Sequence, residues 1–207
     1  MQSDNKIHVD GLKTQLHKTF SFLQQCRSGI QELDSKALPC IKTIANLTEQ
    51  FQCCTGVSVS DLPSKVDFCE VKQKLLFKIS SEINENVSKL HLLLCRYGEY
   101  SDGIGRHYDK CMSRCAKCNA SEDLSKLLER SPLYPSMTDM LQWIEITERL
   151  IREAYLCKKF IIDTYTPDLP AISDRLESSW TAGDKELYKQ IDEYLALTRN
   201  FVELKVS

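Results

Sequence analysis

Glycine and proline are scarce, with seven and six among 207 residues. All-β sandwiches, barrels and Gly-rich nucleotide folds need more turn residues than that. A basic excess is also missing. Lys and Arg number 27 against 29 Asp and Glu, a formal net charge of −2. No positive field is present to hold a phosphate backbone, so direct nucleic-acid binding is not expected. The most apolar short run, Leu90 to Cys95, is interrupted by His91 and is too short to span a bilayer. The opening residues MQSDNKIHVDG lack the apolar core of a secretory signal. These absences predict a cytoplasmic and nuclear chain with no membrane partner.

Chemical signatures are missing as well. The chain has no Gly-x-Ser-x-Gly elbow, no HExxH, no EF-hand loop and no phosphate loop ending in Gly-Lys-Ser/Thr. Gly103-Ile104-Gly105 follows no strand pattern. Glu82/Glu85 and Glu145/Glu148 fall at i, i+3, but no Glu-x-x-His accompanies them, so they read as solvated faces. The expectation is a protein that is not an enzyme and needs no cofactor.

Cysteine, in contrast, is plentiful, with ten residues. With no export signal, they read as reduced thiols, mostly small buried hydrophobes. Cys111-x3-Cys115-x2-Cys118 is the sharpest pattern. Its spacing matches a three-cysteine iron–sulfur loop, but the strands of the barrel that carries such loops are absent. With His107 it offers four potential zinc ligands. On one helix His107 and Cys115 stand roughly 12 Å apart, too far for one ion without unwinding. Cys111, Cys115 and Cys118 are therefore weak metal candidates, and a metal-binding protein built on them is one alternative reading.

Helical periodicity fills most of the chain. Leu12, Leu16, Thr19/Phe20, Leu23, Cys26, Ile30 and Leu33 recur every three or four residues. Pro39 is expected to break this stripe before Ile41, Ile44, Leu47 and Phe51 resume it. A second stripe runs from Phe68 through Val71, Leu75, Ile79, Ile83, Val87, Leu90 and Leu94 to Tyr97. Pro63 suits its start. Gly98, Gly103 and Gly105 predict a loosened or kinked continuation to about Cys115. Ser121 opens a short turn, and Ser136 with Asp139 forms a variant capping box. A strong helix follows to about Thr164. Leu169, Ile172, Leu176 and Trp180 make a short helix, and Asp184 caps a last one. Arg149, Arg152, Lys158 and Lys159 are interleaved with Glu148 and Glu153 and read as surface pairs. The C-terminal segment 119–207 carries 11 basic and 16 acidic side chains, a mild acidic bias.

The fold class expected is all-α: a long helical hairpin or coiled-coil-like bundle with a C-terminal helical part. The expected division is a hairpin over 1–118, a linker with a short helix over 119–135 and a helical region over 136–207. One continuous domain is the alternative.

Ser136-Met137-Thr138-Asp139-Met140-Leu141-Gln142-Trp143-Ile144, Glu148-Arg149 and Tyr155-Leu156-Cys157-Lys158-Lys159-Phe160 carry a specific likeness. So, more weakly, do Leu47 to Gln52, Asp61-Leu62-Pro63 and Leu169-Pro170 to Trp180. The sequence resembles the small helical ribosome-maturation factors that bind AAA+ ATPases of the Cdc48-like, spermatogenesis-associated type. The resemblance implies a non-catalytic adaptor subunit. Its implied partners are Cdc48-like AAA+ subunits, a cyclin-dependent-kinase-interacting helical protein and, indirectly, the late cytoplasmic pre-60S particle. There the complex releases and recycles a placeholder factor, and it is also linked to replisome and chromatin proteostasis. A coiled-coil tethering subunit without an ATPase is the remaining alternative.

A long apolar stripe must be covered. Leu75, Ile79, Ile83, Val87, Leu90 and Leu94 are therefore the expected contact with the helical partner. Met140, Trp143, Ile144 and Tyr155 are the expected second surface, with Trp143 as its anchor.

Overall fold

The computed structural model describes residues 2–58, 68–118, 121–132, 135–167 and 175–203. The fold is all-α, and the described residues contain no strand. Among the described residues six helices follow in order: α1 (Gln2–Gly56), α2 (Phe68–Cys115), α3 (Ser121–Leu128), α4 (Met137–Asp163), α5 (Leu176–Trp180) and α6 (Asp184–Glu203). Pro63, Leu169 and Ile172 lie outside the described residues.

Two local expectations are corrected. Pro39 does not break α1, which runs through it. The ring removes one backbone hydrogen bond and costs about 3 kcal/mol in a helix interior. Pro39 is exposed, however, while Leu33, Ala37, Ile41 and Ile44 are buried across it. Burial of such side chains contributes about 1.5–3 kcal/mol each, enough to hold the turn. Likewise, α2 is unbroken through Gly103. A Cβ there would come within 2.5 Å of Cζ of Phe22, so the glycine lets α1 approach α2. Gly29 makes the same allowance for the Tyr100 ring.

The helix contacts divide the chain into two compact units. Unit one comprises residues 1–31, 97–155 and 183–207. Its α1 faces α2 through Thr19 and His107, with the hydroxyl 3.2 Å from Nδ1. Its α2 faces α4 where Tyr97 stacks on Tyr155 at 6.2 Å. Its α4 faces α6 where Trp143 stacks on Tyr194 at 5.1 Å. The ring closes where His17 of α1 meets the Val202 carbonyl of α6 at 2.6 Å. Residues 11 and 19 of α1 lie against 114 and 107 of α2, and 17 and 27 against 202 and 192 of α6. Successive long helices are therefore antiparallel, as in an up-down-up-down four-helix bundle. Its core includes Leu16, Phe20, Ile104, Ile144, Ile151 and Ile191.

The Ser136 box opens α4 as expected. The Ser136 hydroxyl accepts from the Asp139 amide at 3.1 Å, and the Asp139 carboxylate accepts from the Ser136 amide at 3.2 Å. Arg130 grips the same carboxylate through two bonds of 2.9 and 3.0 Å. The last helix differs in detail from expectation. Gly183, at φ +83°, supplies the carbonyl that takes the first helical bond from Leu187. Asp184 therefore stands in the first turn rather than before it.

Unit two comprises residues 32–96 and 156–182. Leu47 of α1 packs with Ile79 and Ile83 of α2, flanked by Phe51, Val87 and Tyr165. Lys72 of α2 donates to the carbonyls of Thr55 and Val57 at 2.9 and 2.7 Å, which closes the end of α1.

Candidate interaction surfaces

The chemistry around the cysteine cluster starts from α2, which places His107 and Cys111 one turn apart. His107 stacks on Phe22 at 4.7 Å, and its Nδ1 lies 3.2 Å from the Thr19 hydroxyl, which itself donates to the Gln15 carbonyl at 2.8 Å. Burial, reinforced by Lys110 and Arg106, pushes the His107 pKa below the usual value. The buried Cys111 sulfur lies 3.3 Å from the same Thr19 hydroxyl, and burial pushes its thiol up. Cys118 is buried and donates to the Arg114 carbonyl at 3.6 Å, while Cys115 is half-buried. A buried thiol of raised pKa is a packing group, not an activated nucleophile. Cys26 shows the same effect more strongly, with its pKa pushed up to about 12 by burial. Among the described residues, no three His, Cys, Asp or Glu side chains come together as a metal set. No described helix is long and apolar enough to cross a membrane.

The residues expected at partner surfaces are placed mostly inside the chain. Ile79, Ile83, Leu90 and Leu94 are buried, and Val87 packs beside them against Leu47. The second half of the α1–α2 hairpin supplies the cover that their stripe requires. Met140 and Ile144 are buried too. Trp143 is half-buried and spends its ring on Tyr194, and Tyr155 is half-buried on Tyr97. Of the ten, Leu75 alone is exposed, at 46%. Within each unit most of these residues therefore face the core rather than solvent.

Lys158 is corrected most sharply. It is 2% exposed, not a surface residue. Its ammonium donates to the Trp180 carbonyl at 2.7 Å, pairs with Asp34 at 3.3 Å and stands 5.0 Å from the Trp180 ring centroid. Unit two thereby fastens α5 to α1. Arg152 does pair with Glu148 one turn away, as expected.

Other apolar side chains remain open to solvent. In unit two these include Val71, Phe77 and Leu92 on α2 and Leu156 and Phe160 on α4. Phe77 is 78% exposed, Leu92 69% and Phe160 68%. At 100° per residue, Leu92 points roughly opposite to the buried direction set by Ile79, Ile83, Leu90 and Leu94. Leu156 and Phe160 stand at i, i+4 on one face of α4. Large apolar residues that leave the core face are candidate anchors. The sequence contained this signal, since Phe77 and Leu92 fall outside the apolar stripe.

Comparison with known proteins gives one consistent answer. Residues 10–199 match the family described as CA109-like, ribosome biogenesis protein C1orf109-like. A Xenopus tropicalis protein called AFG2-interacting ribosome maturation factor is 26% identical over 165 residues, 80% of each chain. The Homo sapiens protein of that name is 22% identical over 186 residues, 90% of this chain and 92% of its own. The Mus musculus protein of that name is 23% identical over 190 residues, 91% and 87% respectively.

Proposed function

Since the chain belongs to the C1orf109-like ribosome biogenesis family, we propose that it serves ribosome maturation as a non-catalytic adaptor of an AAA+ ATPase. The observation that carries the reading is the likeness, over 80–91% of the chain, to relatives named for interacting with AFG2. ATP hydrolysis belongs to the ATPase in this scheme. This chain supplies rigid helices and side chains that dock. The finer assignment is a cytoplasmic and nuclear subunit acting on late pre-60S particles, where it assists release and recycling of a placeholder factor. A cyclin-dependent-kinase-interacting helical protein is the second partner, and replisome and chromatin proteostasis is a further setting.

The exposed anchors of unit two supply contact sites for this role. Phe77 and Leu92 on α2, and Leu156 and Phe160 on α4, offer apolar area without disturbing the core. Fully burying one such side chain contributes about 1.5–3 kcal/mol. The test is a native pull-down of the tagged full chain from its own cells, with mass spectrometry of its companions. Co-recovery of AAA+ subunits with pre-60S factors is expected, reduced at least tenfold by Phe77→Asp with Phe160→Asp. A helical complex recovered without any ATPase overturns the adaptor reading and favours the tethering one.

A further inference from the structure

Ser131 is followed by Pro132 in the connection between α3 and α4. Proline disfavours the helical region for the residue before it and holds it extended. An extended hydroxyl residue with proline next is the substrate shape of a proline-directed kinase, whose apolar subsite asks for no amide proton at that position. Thr166-Pro167 is the one other such pair in the sequence. Ser131 differs from Thr166 in its surroundings. It lines a cavity of about 210 Å³ in unit one, with Lys13 of α1 and Lys126 of α3 on the wall and Met137, Met140 and Phe201 among the floor residues. That volume equals several waters at about 30 Å³ each.

We infer that Ser131 is the phosphate acceptor of a proline-directed protein kinase, and that the cavity with Lys13 and Lys126 receives the phosphate. In the transfer, the Ser131 Oγ attacks the γ-phosphorus of ATP. The Oγ–P bond forms, the bond to the β–γ bridging oxygen breaks, ADP leaves, and the hydroxyl proton passes to the kinase base. Before transfer, the cavity's charges balance, with Lys13 and Lys126 against Asp10 and Glu129. A phosphoserine adds about −1.5 to −2 charges and three acceptor oxygens. The two ammonium groups on flexible stems turn toward it, while the exposed Asp10 and Glu129 turn to water. Arg130 stays engaged with Asp139. The phosphate thus staples the α3–α4 connection to α1 within unit one.

The test uses the full chain, Mg-ATP and a proline-directed kinase chosen because it phosphorylates a peptide of residues 126–136. Mass spectrometry is expected to find phosphate on Ser131 of the folded chain. Ser131→Ala removes it, and Pro132→Ala lowers its rate at least tenfold. Amide exchange over 129–132 then slows at least threefold on phosphorylation, and Lys13→Ala with Lys126→Ala abolishes that slowing. A modified peptide beside an unmodified folded chain overturns the site, as does a peptide that no proline-directed kinase accepts. A phosphorylated chain whose exchange is unchanged, or slows equally in the double variant, overturns the role of the cavity.

Discussion

Unit one and unit two both cover the apolar stripe of α1, but with different resources. Unit one closes four antiparallel helices into a ring around a buried core, and leaves Met112, Leu124, Leu128 and Leu197 exposed. Unit two relies on a hairpin, the end of α4 and the five-residue α5. It places aromatic and aliphatic side chains outward and fastens α5 with a buried lysine. The difference teaches where stability and recognition are separable. Among the described residues the closed ring leaves four large apolar side chains exposed against seven in unit two, and none of its four is aromatic. A hairpin covered on one side keeps residues that can be changed without loosening the fold.

The largest expected effect tests that separation directly. Ile144, at 0% exposure in unit one, should cost about 2–5 kcal/mol when changed to Ala, through lost transfer energy and the cavity left behind. Phe77→Ser in unit two should stay within about 0.5 kcal/mol. Urea unfolding of the two variants measures both. Equal losses would show that Phe77 is structural and remove the contrast.

Next in size is the Lys158 site. Asp34→Asn leaves a buried ammonium without its carboxylate and should cost about 3 kcal/mol. Lys158→Met together with Asp34→Leu replaces both charges by apolar groups and should cost less than the single change. Thermal unfolding that ranks the two variants the other way would mean that the ammonium's bond to the Trp180 carbonyl, not its pairing with Asp34, dominates.

A smaller effect belongs to the Ser136 box. Ser136→Ala should cost about 1 kcal/mol, the usual worth of an N-cap. Its Asp139 partner is held below the ordinary value of 3.8, first by Arg130 and then by Ser136. A carboxyl of depressed pKa contributes its stability above the unfolded value and loses it as pH falls below that value. Arg130→Gln should therefore flatten the acid limb of the stability curve below about pH 4, the ordinary carboxyl range. An unchanged limb would assign it to other carboxyls.

How much of this was legible in advance follows from range. The all-α class, the long α1 and α2 and the Ser136 box rest on local spacing, and the sequence displays them openly. Pro39 and Gly103 were misread because their penalties are local while their compensations are tertiary. An exposed proline opposite a buried stripe and a glycine beneath Phe22 can be recognised only once the helices are paired. Periodicity also shows that a stripe must be covered but not by what. Ile79, Ile83, Leu90 and Leu94 were assigned to a partner, and α1 of the same chain supplies the cover. Lys158 did carry a signal. It falls in register with Ile144, Thr147, Ile151 and Ile162, all buried, so its stem continues the apolar face.

The smallest expected effect lies in the ring's polar seam. His107 sits 3.2 Å from the Thr19 hydroxyl while stacked on Phe22, and burial holds its pKa below 6.5. The unfolded chain binds a proton there at higher pH than the folded chain does. Stability from this group is complete above about pH 6.5, the ordinary histidine value, and falls as pH drops through the interval below it. His107→Gln removes the titration and keeps a polar partner for Thr19. The variant should unfold with a shallower dependence on pH between about 7.5 and 5.5, the range that spans an ordinary histidine. Guanidinium titrations at several pH values would show it. Parallel curves for the two proteins would mean that His107 protonates as readily folded as unfolded. The seam between α1 and α2 would then tolerate a charge, and unit one would be less tightly closed than its ring of contacts implies.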